Sequence, residues 1–285
     1  MKLFRGTAFA SDGDISARRR SLLAGVAVGF MLSSAACHAA TFDWPTTPAW
    51  PGTGPVSGAT QTVDYGYYAN GSIRASVFNS GETYAAGYPS VQTSAAFPGA
   101  NGGFSGQRNL ILSTSTTAST ASYSQITFSF MYTGGANNVS FNLYDIDWGG
   151  NSSWIDQISQ ISATAAAGGT VYATSVTGST ANSVTGSGST YLVTGTGTSG
   201  NDSANGNVNV DFGATAITSL TFRWANTAPT ARTTQNIGFS PISLTPIGTV
   251  FPEVNSSTAA LALCGGIMGF GRFRRRPATR DSAAR

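Results

Sequence analysis

The chain has 285 residues, of which 15 are Lys or Arg and 12 are Asp or Glu, and its pI is about 9.0. Eleven of the basic residues lie before position 41 or after position 252, so residues 41–252 carry four arginines against eight acids, a net charge of −4, and no Lys, Cys or His. This composition excludes nucleic-acid binding, disulfides, thiol catalysis, Ser-His-Asp triads and ordinary zinc sites from the central region.

Residues 1–40 have the organisation of a secretory signal peptide. Arg19 and Arg20 precede an apolar run, and the small residues Ala39 and Ala40 follow it where signal peptidase would cut. The sequence RRSLL at residues 19–23 also fits a twin-arginine signal, which carries folded cargo. An ordinary signal peptide with a basic N-terminal region explains the same residues. Export through a translocon is predicted, and the choice between the two routes stays open.

Residues 41–249 are predicted to form one all-β domain, a β-sandwich or jelly roll. Apolar residues alternate at period two in short segments that glycine- and asparagine-rich turns separate, and no segment has a sustained helical stripe. About 210 residues are enough to bury a core without disulfides. The predicted strands lie at residues 61–68, 72–78, 125–132, 139–143, 171–173, 191–193, 208–212 and 217–224.

Aromatic side chains are frequent among the glycines and prolines of residues 42–106. Such rings can stack on sugars, or they can fill the core and edges of a sandwich, and the second interpretation is favoured. The residues concerned are Trp44, Trp50, Tyr65, Tyr67, Tyr68, Tyr84 and Tyr88.

Two carboxylates follow a predicted core strand in register. Val139, Phe141 and Leu143 share one face of that strand, and period two places Asp145 and Asp147 on the same face. Because an unpaired buried charge is costly, this placement needs an explanation.

Three interpretations of the two carboxylates stay open. The strand leaves the core or bulges after its last apolar residue, so that both acids are solvated. Alternatively, the acids pair with Arg223, Arg74 or loop amides. Finally, together with Asp156 and oxygens such as that of Asn151, they bind Ca²⁺, a hard cation that takes six to eight oxygen ligands.

A glycan hydrolase would need two carboxylates, and the three aspartates and Glu82 are the candidates. No supporting shell of His or Lys exists in the domain, so catalysis is not predicted. Trp148 and Trp154 are candidate ligand-binding residues of a lectin-like site, because flat rings and nearby polar loops suit sugars.

Five short segments resemble β-sandwich modules of large bacterial surface and adhesin-like proteins. They are YDID at residues 144–147, WIDQ at 154–157, a Gly/Asn-rich hairpin at 201–206, VNVDF at 208–212 and IGFS at 237–240. The resemblance implies display at the cell surface and no catalysis.

Residues 250–285 have the order of parts of a sorting signal. Pro252 and Glu253 lead into an apolar segment, which is predicted as a short membrane helix over residues 256–271, and basic residues follow it. The basic cluster is Arg272, Arg274, Arg275 and Arg276. This order resembles the PEP-CTERM sorting signal of Gram-negative bacteria, although Val254 stands where that motif has its second proline. The resemblance implies sorting by an exosortase-type membrane protease, and the arginines imply a cytoplasmic C-terminus during a transient inner-membrane stage. A plain C-terminal membrane anchor is the alternative.

These features predict an exported protein at the cell surface or in the extracellular matrix, with a structural or adhesive role and no catalysis. The alternative class is a lectin-like, carbohydrate-binding module or, less favoured, a carboxylate-dependent glycan hydrolase. Extracellular polysaccharide is the expected partner, nucleic acid is not, and no cofactor is predicted apart from the calcium ion considered above.

Overall fold

A computed structural model describes residues 39–66, 73–115, 122–150, 153–228 and 234–248. The predicted signal residues Arg19 and Arg20 lie outside these described residues, as does the whole predicted sorting signal from Pro252 to Arg276. Within the described ranges, no helix is long and apolar enough to cross a membrane.

The described residues form an all-β structure, as the alternation predicts. Two single-turn 3₁₀ helices, Gly188–Thr190 and Ala204–Gly206, interrupt the strands. The strands are β1 Ala40–Phe42, β2 Thr60–Asp64, β3 Ile73–Ser80, β4 Thr83–Tyr84, β5 Ser90–Gln92, β6 Asn109–Ser115, β7 Tyr123–Phe130, β8 Ala136–Tyr144, β9 Asp156–Ala165, β10 Thr170–Val171, β11 Ser175–Gly178, β12 Asn182–Thr185, β13 Leu192–Gly195, β14 Val208–Asp211, β15 Ile217–Asn226, β16 Thr234–Phe239 and β17 Ile242–Pro246.

The strands pair antiparallel and curl into two layers. The first layer has the order β2–β3–β7–β15–β9–β13–β12, with β10 on the end of β9. In the second layer, β16 and β17 follow one another along one side of β8, and β14 and β11 lie on its other side. Beyond them, β6 flanks β16, while β1, which starts at Ala40 directly after Ala39, flanks β17. The pair Ile217 and Ala136 connects the two layers.

Phenylalanine rings from both layers meet at the centre of the domain. Phe128 on β7 and Phe222 on β15 contact Phe141 on β8 and Phe239 on β16, with ring centroids 5.6–6.3 Å apart. Side chains at every second position of β7 are buried, as period two requires. The arrangement is therefore sandwich-like, and the strands predicted at residues 125–132, 139–143 and 217–224 are confirmed.

Two kinds of strand depart from the sequence prediction. β6 buries six successive residues, because its second face is also covered: Ile111 packs there against Ala100 and Tyr144. A strand buried on both faces shows no alternation, so the pattern missed it. Elsewhere the predicted strand at residues 171–173 ends at Val171, and Tyr191 precedes β13 rather than belonging to it.

Aromatic residues of the N-terminal segment close one side of the core. Trp44 is fully buried, 5.3 Å from the ring of Phe128, and donates its indole N–H to the carbonyl of Ser240 at 2.8 Å. Trp50 donates to the hydroxyl of Tyr65 at 2.9 Å. The core interpretation is thus confirmed for these three aromatic residues, while Tyr67 and Tyr68 lie outside the described residues.

Candidate functional site: an acidic cavity and a polar groove

The three aspartates that the sequence singles out lie together at one end of the sandwich. Asp145 and Asp147 directly follow β8, Asp156 begins β9, and all three line one cavity of about 230 Å³. They are 7%, 3% and 1% exposed, respectively. The strand ends at Tyr144, as the first interpretation expects. That interpretation also expected both acids to be solvated, and this part is wrong, because the acids are buried.

Backbone geometry explains how the acids leave the strand without reaching water. Asp145 has φ +65°, a left-handed conformation that Asp adopts more readily than most residues, so the chain turns there. Gly206 lies against this turn: a Cβ at this position would stand only 3.1 Å from the Cα of Asp145. The carbonyl of Gly206 accepts the N–H of Ile146 at 2.9 Å. At Gly195 a Cβ would stand 1.9 Å from the carbonyl oxygen of Asp147. Two glycines therefore allow neighbouring loops to cover the acids.

Indole and backbone N–H groups hold two of the carboxylates. Asp147 accepts the indole N–H of Trp154 on Oδ1 and the backbone N–H of Ser199 on Oδ2, both at 2.8 Å. Asp156 accepts the indole N–H of Trp224 on Oδ1 at 2.8 Å and the backbone N–H of Asp147 on Oδ2 at 3.3 Å. The second interpretation is thus confirmed in one part: loop N–H groups are partners of the acids, together with indole N–H groups.

Asp145 accepts fewer hydrogen bonds than the other two aspartates. Its Oδ2 accepts the side-chain amide of Asn236 at 2.9 Å, whereas its Oδ1 is buried and has no hydrogen-bond partner within the described ranges. The same is true of Oε1 of Gln235, which lines the cavity and is 4% exposed. Two buried oxygens of this cavity are therefore unsatisfied.

The arginines considered as partners are engaged elsewhere, so that part of the second interpretation is wrong. Arg74 pairs with Asp64 at 2.6 Å. Arg223 donates to the side chain of Gln125 at 3.2 Å and lies over the ring of Tyr123, 4.0 Å from its centroid. Each arginine projects from a polar position of its strand and finds a partner on the neighbouring one, where exposed charges remain hydrated.

Burial raises the pKa of all three carboxyl groups. It raises the pKa of Asp145 to about 8, with the negative charge of Asp147 adding to the increase. Burial also raises the pKa of Asp147, against the effect of its two hydrogen bonds. The pKa of Asp156 lies well above its usual range, because burial and the charges of the other two aspartates all favour the protonated form. A charge on Asp147 therefore makes the ionisation of both Asp145 and Asp156 more costly.

The arrangement in the described ranges does not contain three acidic, His or Cys side chains that converge on one point as a metal requires. Asn151, considered as a calcium ligand, lies outside the described residues. Glu82 is not part of this group, since it is buried in the turn between β3 and β4.

The two tryptophans predicted to bind a ligand both interact with neighbouring residues of the chain. Both are half-buried. The ring of Trp154 covers Gly149 and its N–H is committed to Asp147, while Trp148 pairs with Ile155 across a β-bridge.

A second candidate site lies on the outer face of the layer that contains β8. Here polar residues alternate with core residues and line a groove of about 350 Å³. Phe104, which is 49% exposed, stands at its edge with its ring centroid 5.8 Å from that of Tyr144. The described residues that line the groove include no charged one; they are Thr41, Phe104, Gln107, Ser140, Phe141, Asn142, Tyr144, Asn209, Ser240, Pro241 and Ser243.

Hydrogen bonds fix the polar groups of this groove. The Asn209 amide donates to the side-chain carbonyl of Asn142 at 3.1 Å, and the hydroxyl of Tyr144 donates to Gln107 at 3.3 Å. Sequence reasoning missed these residues, since their strand positions are the ordinary polar half of the alternation. Only the pairing of β8 with β14 and β17 brings them to one surface.

A larger open cleft of about 510 Å³ lies at the turn between β3 and β4. Its one aromatic ring, Tyr84, has its hydroxyl hydrogen-bonded inward to Ser124 at 2.6 Å. Small residues form most of the remaining wall, so this cleft has fewer groups to orient a ligand than the groove has.

No family model and no curated protein matches the chain. One solved structure, described as a dissection of specific mannan recognition by the carbohydrate-binding module TmCBM27, is similar at 14% identity over 66% of this chain and 96% of that chain, with a TM-score of 0.31. A similarity this low does not indicate a ligand. Any inference about the ligand therefore depends on the residues of the groove.

Proposed function

We propose that the chain is an exported, non-catalytic adhesive domain that binds neutral polysaccharide weakly through the polar groove. The observation that carries this proposal is a groove lined by amides and hydroxyls, with a half-exposed aromatic ring and, among its described residues, no charge. Planar amides donate and accept at once, which suits the hydroxyl groups of a sugar. An exposed ring such as that of Phe104 offers a flat apolar surface for the face of a pyranose.

The absence of charge from the groove lining defines the ligand class. Anionic polymers need clustered Lys or Arg, and residues 41–252 contain four scattered arginines. Of the described arginines, none lines the groove. Neutral glycans are therefore expected to bind better than uronate- or sulfate-bearing ones.

Export and sorting complete the proposal. The signal-peptide pattern at residues 1–40 supports export, and the arrangement around Pro252, Glu253 and the arginine cluster supports sorting by an exosortase-type protease. The protein would then function at the cell surface or in the extracellular matrix. The mass of the protein recovered from medium and envelope tests this part: two trimmed termini are expected, and an intact chain found only in the cytosol would overturn it.

Binding can be tested with the full-length chain and a panel of soluble polysaccharides, neutral ones such as a glucan, a mannan and a galactan and anionic ones such as alginate. Retardation in affinity gel electrophoresis is expected with at least one neutral polymer. Phe104→Ala should weaken that binding at least about fivefold, as the loss of a central aromatic contact does.

Tyr172→Ala is the matched control, because Tyr172 is 44% exposed and lies outside the groove. It should bind as the wild type does. Equal loss in both variants would contradict the assignment to the groove, and binding to no polymer would favour a purely structural role. Release of new reducing ends would contradict the non-catalytic part of the proposal.

A further inference from the structure

The acidic cavity has more oxygen acceptors than hydrogen-bond donors. Oδ1 of Asp145 and Oε1 of Gln235 are both buried without a partner among the described residues. These side chains are 7% and 4% exposed, so bulk water does not reach them freely. A buried acceptor without a partner costs about 1–3 kcal/mol, so a bound group that interacts with both oxygens would offset this cost.

The donors around the cavity are already in use. The indole N–H groups of Trp154 and Trp224 and the amide of Asn236 each bind one oxygen of one aspartate. A carboxylate has about four acceptor positions, so the hydrogen bonds described leave most of these positions open. Among the described residues that line the cavity, none is basic.

We propose that this cavity binds one hard divalent cation, Ca²⁺, through Oδ1 of Asp145, Oε1 of Gln235 and the carboxylate of Asp147. Asp156 provides a further negative charge beside the ion. The ligands are all oxygens, which Ca²⁺ takes in sets of six to eight, and water and loop carbonyls complete the number. Residues 41–252 contain no His or Cys, which argues against a softer transition metal.

The size and irregularity of the cavity favour Ca²⁺ over Mg²⁺. About 230 Å³ holds an ion together with several waters. Mg²⁺ demands near-octahedral geometry, whereas Ca²⁺ tolerates the uneven set of carboxylates and an amide found here. Because no three acidic side chains of the described residues converge on one point, binding would turn the aspartates toward the ion.

A cation would also stabilise the loops at this end of the domain. Asp147 already holds the N–H of Ser199, and the next part of that loop accepts the N–H of Asn101 on the carbonyl of Asn201 at 2.9 Å. An ion on Asp147 would therefore reinforce two loops as well as three carboxylates. This inference does not depend on the polysaccharide proposal, since its test measures ion binding and stability alone.

The experiment uses the purified full-length chain, freed of metal with a chelator and dialysed. Tb³⁺, a Ca²⁺ substitute, is added while tryptophan is excited, because Trp154 and Trp224 are hydrogen-bonded to the proposed site and can transfer energy to a bound ion. Sensitised luminescence that saturates at one ion per chain and is displaced by Ca²⁺ is expected. Thermal unfolding should shift upward by roughly 5–10 °C once Ca²⁺ reaches about a hundred times its Kd.

Asp145→Asn is the site variant, and Asp43→Asn, an exposed acid outside the cavity, is its matched control. The control should respond to Ca²⁺ as the wild type does, while Asp145→Asn should lose at least about tenfold in affinity and be no less stable than the wild type in chelator. If that variant does not fold, Gln235→Met removes the other unpaired oxygen at similar length and should also weaken binding. Absence of luminescence and of any shift at about 10 mM Ca²⁺, or unchanged binding in the site variant that folds, would overturn the proposal.

Discussion

The aromatic core and the acidic cavity are two buried regions built on the same strands, and they are stabilised in opposite ways. On β8, Phe141 packs against the rings of Phe128 and Phe222, whereas Asp145, four residues later, enters a cavity where one of its oxygens has no partner among the described residues. Packing completes the first region from within. The acidic cavity contains carboxyl groups whose charges repel one another, and it has fewer hydrogen-bond donors than acceptor positions. Burial alone therefore does not define a stable core, since the chemistry of the buried atoms decides what burial contributes.

The largest effect is expected in the aromatic core. Phe222→Ala should lower the free energy of unfolding by about 3–5 kcal/mol, because the ring contacts both layers and a cavity would remain. Guanidinium unfolding of the full-length chain measures this change. Tyr172→Ala, at an exposed ring, should stay within about 0.5 kcal/mol. A loss below about 1 kcal/mol for Phe222→Ala would show that the rings do not hold the layers together.

The acidic cavity should respond to pH with a sign opposite to that of most aspartates. The pKa of Asp145 is about 8 in the folded chain and about 3.9 when unfolded, so the folded state binds the proton more tightly. Its contribution is then fully present below about pH 4 and is lost as the pH rises toward 8. In chelator, the free energy of unfolding should fall by about 2–4 kcal/mol between pH 5 and pH 8.

The groups that face Asp145 reinforce this slope. Asp147 and Asp156 also have raised pKa values, and the part of the cavity lining that the structure describes contains no basic side chain. Asp145→Asn should flatten the slope, because it removes one titrating group and lowers the charge that the other two experience. Urea unfolding at both pH values measures the difference, and a wild-type stability that rises from pH 5 to pH 8 would contradict the prediction.

The sequence predicted the aromatic core better than the cavity for a physical reason. Period-two alternation decides which face of a strand is buried, so Phe128, Phe141 and Phe222 could be assigned to the core without knowing their neighbours. The same rule predicted that Asp145 and Asp147 needed an explanation, and the calcium interpretation added Asp156 to them. It could not identify the donors.

Those donors come from distant parts of the chain. Asn236 lies near the start of β16, about 90 residues after Asp145, and Trp224 lies near the end of β15. Only the strand pairing brings them to one end of the sandwich. The predicted arginine partners were wrong for the same reason: alternation gives the face of Arg223 but not the neighbouring strand, where Gln125 and Tyr123 engage it. The polar groove was missed because its members lie on four separate strands and two loops.

Trp224 and Trp44 are a matched pair of buried hydrogen-bond donors. Both are almost fully buried, but Trp224 donates to Oδ1 of Asp156 and Trp44 to the carbonyl of Ser240. The raised pKa of Asp156 favours its protonated form, so its oxygen should accept about as strongly as a neutral carbonyl. Trp224→Phe and Trp44→Phe should therefore each lower the free energy of unfolding by about 1 kcal/mol beyond any packing change. Chemical denaturation at pH 5 measures both, and a loss for Trp224→Phe about twice that for Trp44→Phe would show that Asp156 is ionised.

The smallest change in stability is expected for an acid that has a charged partner and is also exposed to water. Asp64 pairs with Arg74, and the two side chains are 30% and 41% exposed, respectively. Asp64→Asn should therefore lower the free energy of unfolding by less than about 1 kcal/mol, and high salt should reduce the change further. In chelator at pH 8, Asp145→Asn should shift stability in the other direction, because it removes a charge that repels two neighbours. A stabilising Asp64→Asn, or two variants with the same sign and size, would mean that burial without a counter-charge is not what distinguishes the acidic cavity from the surface.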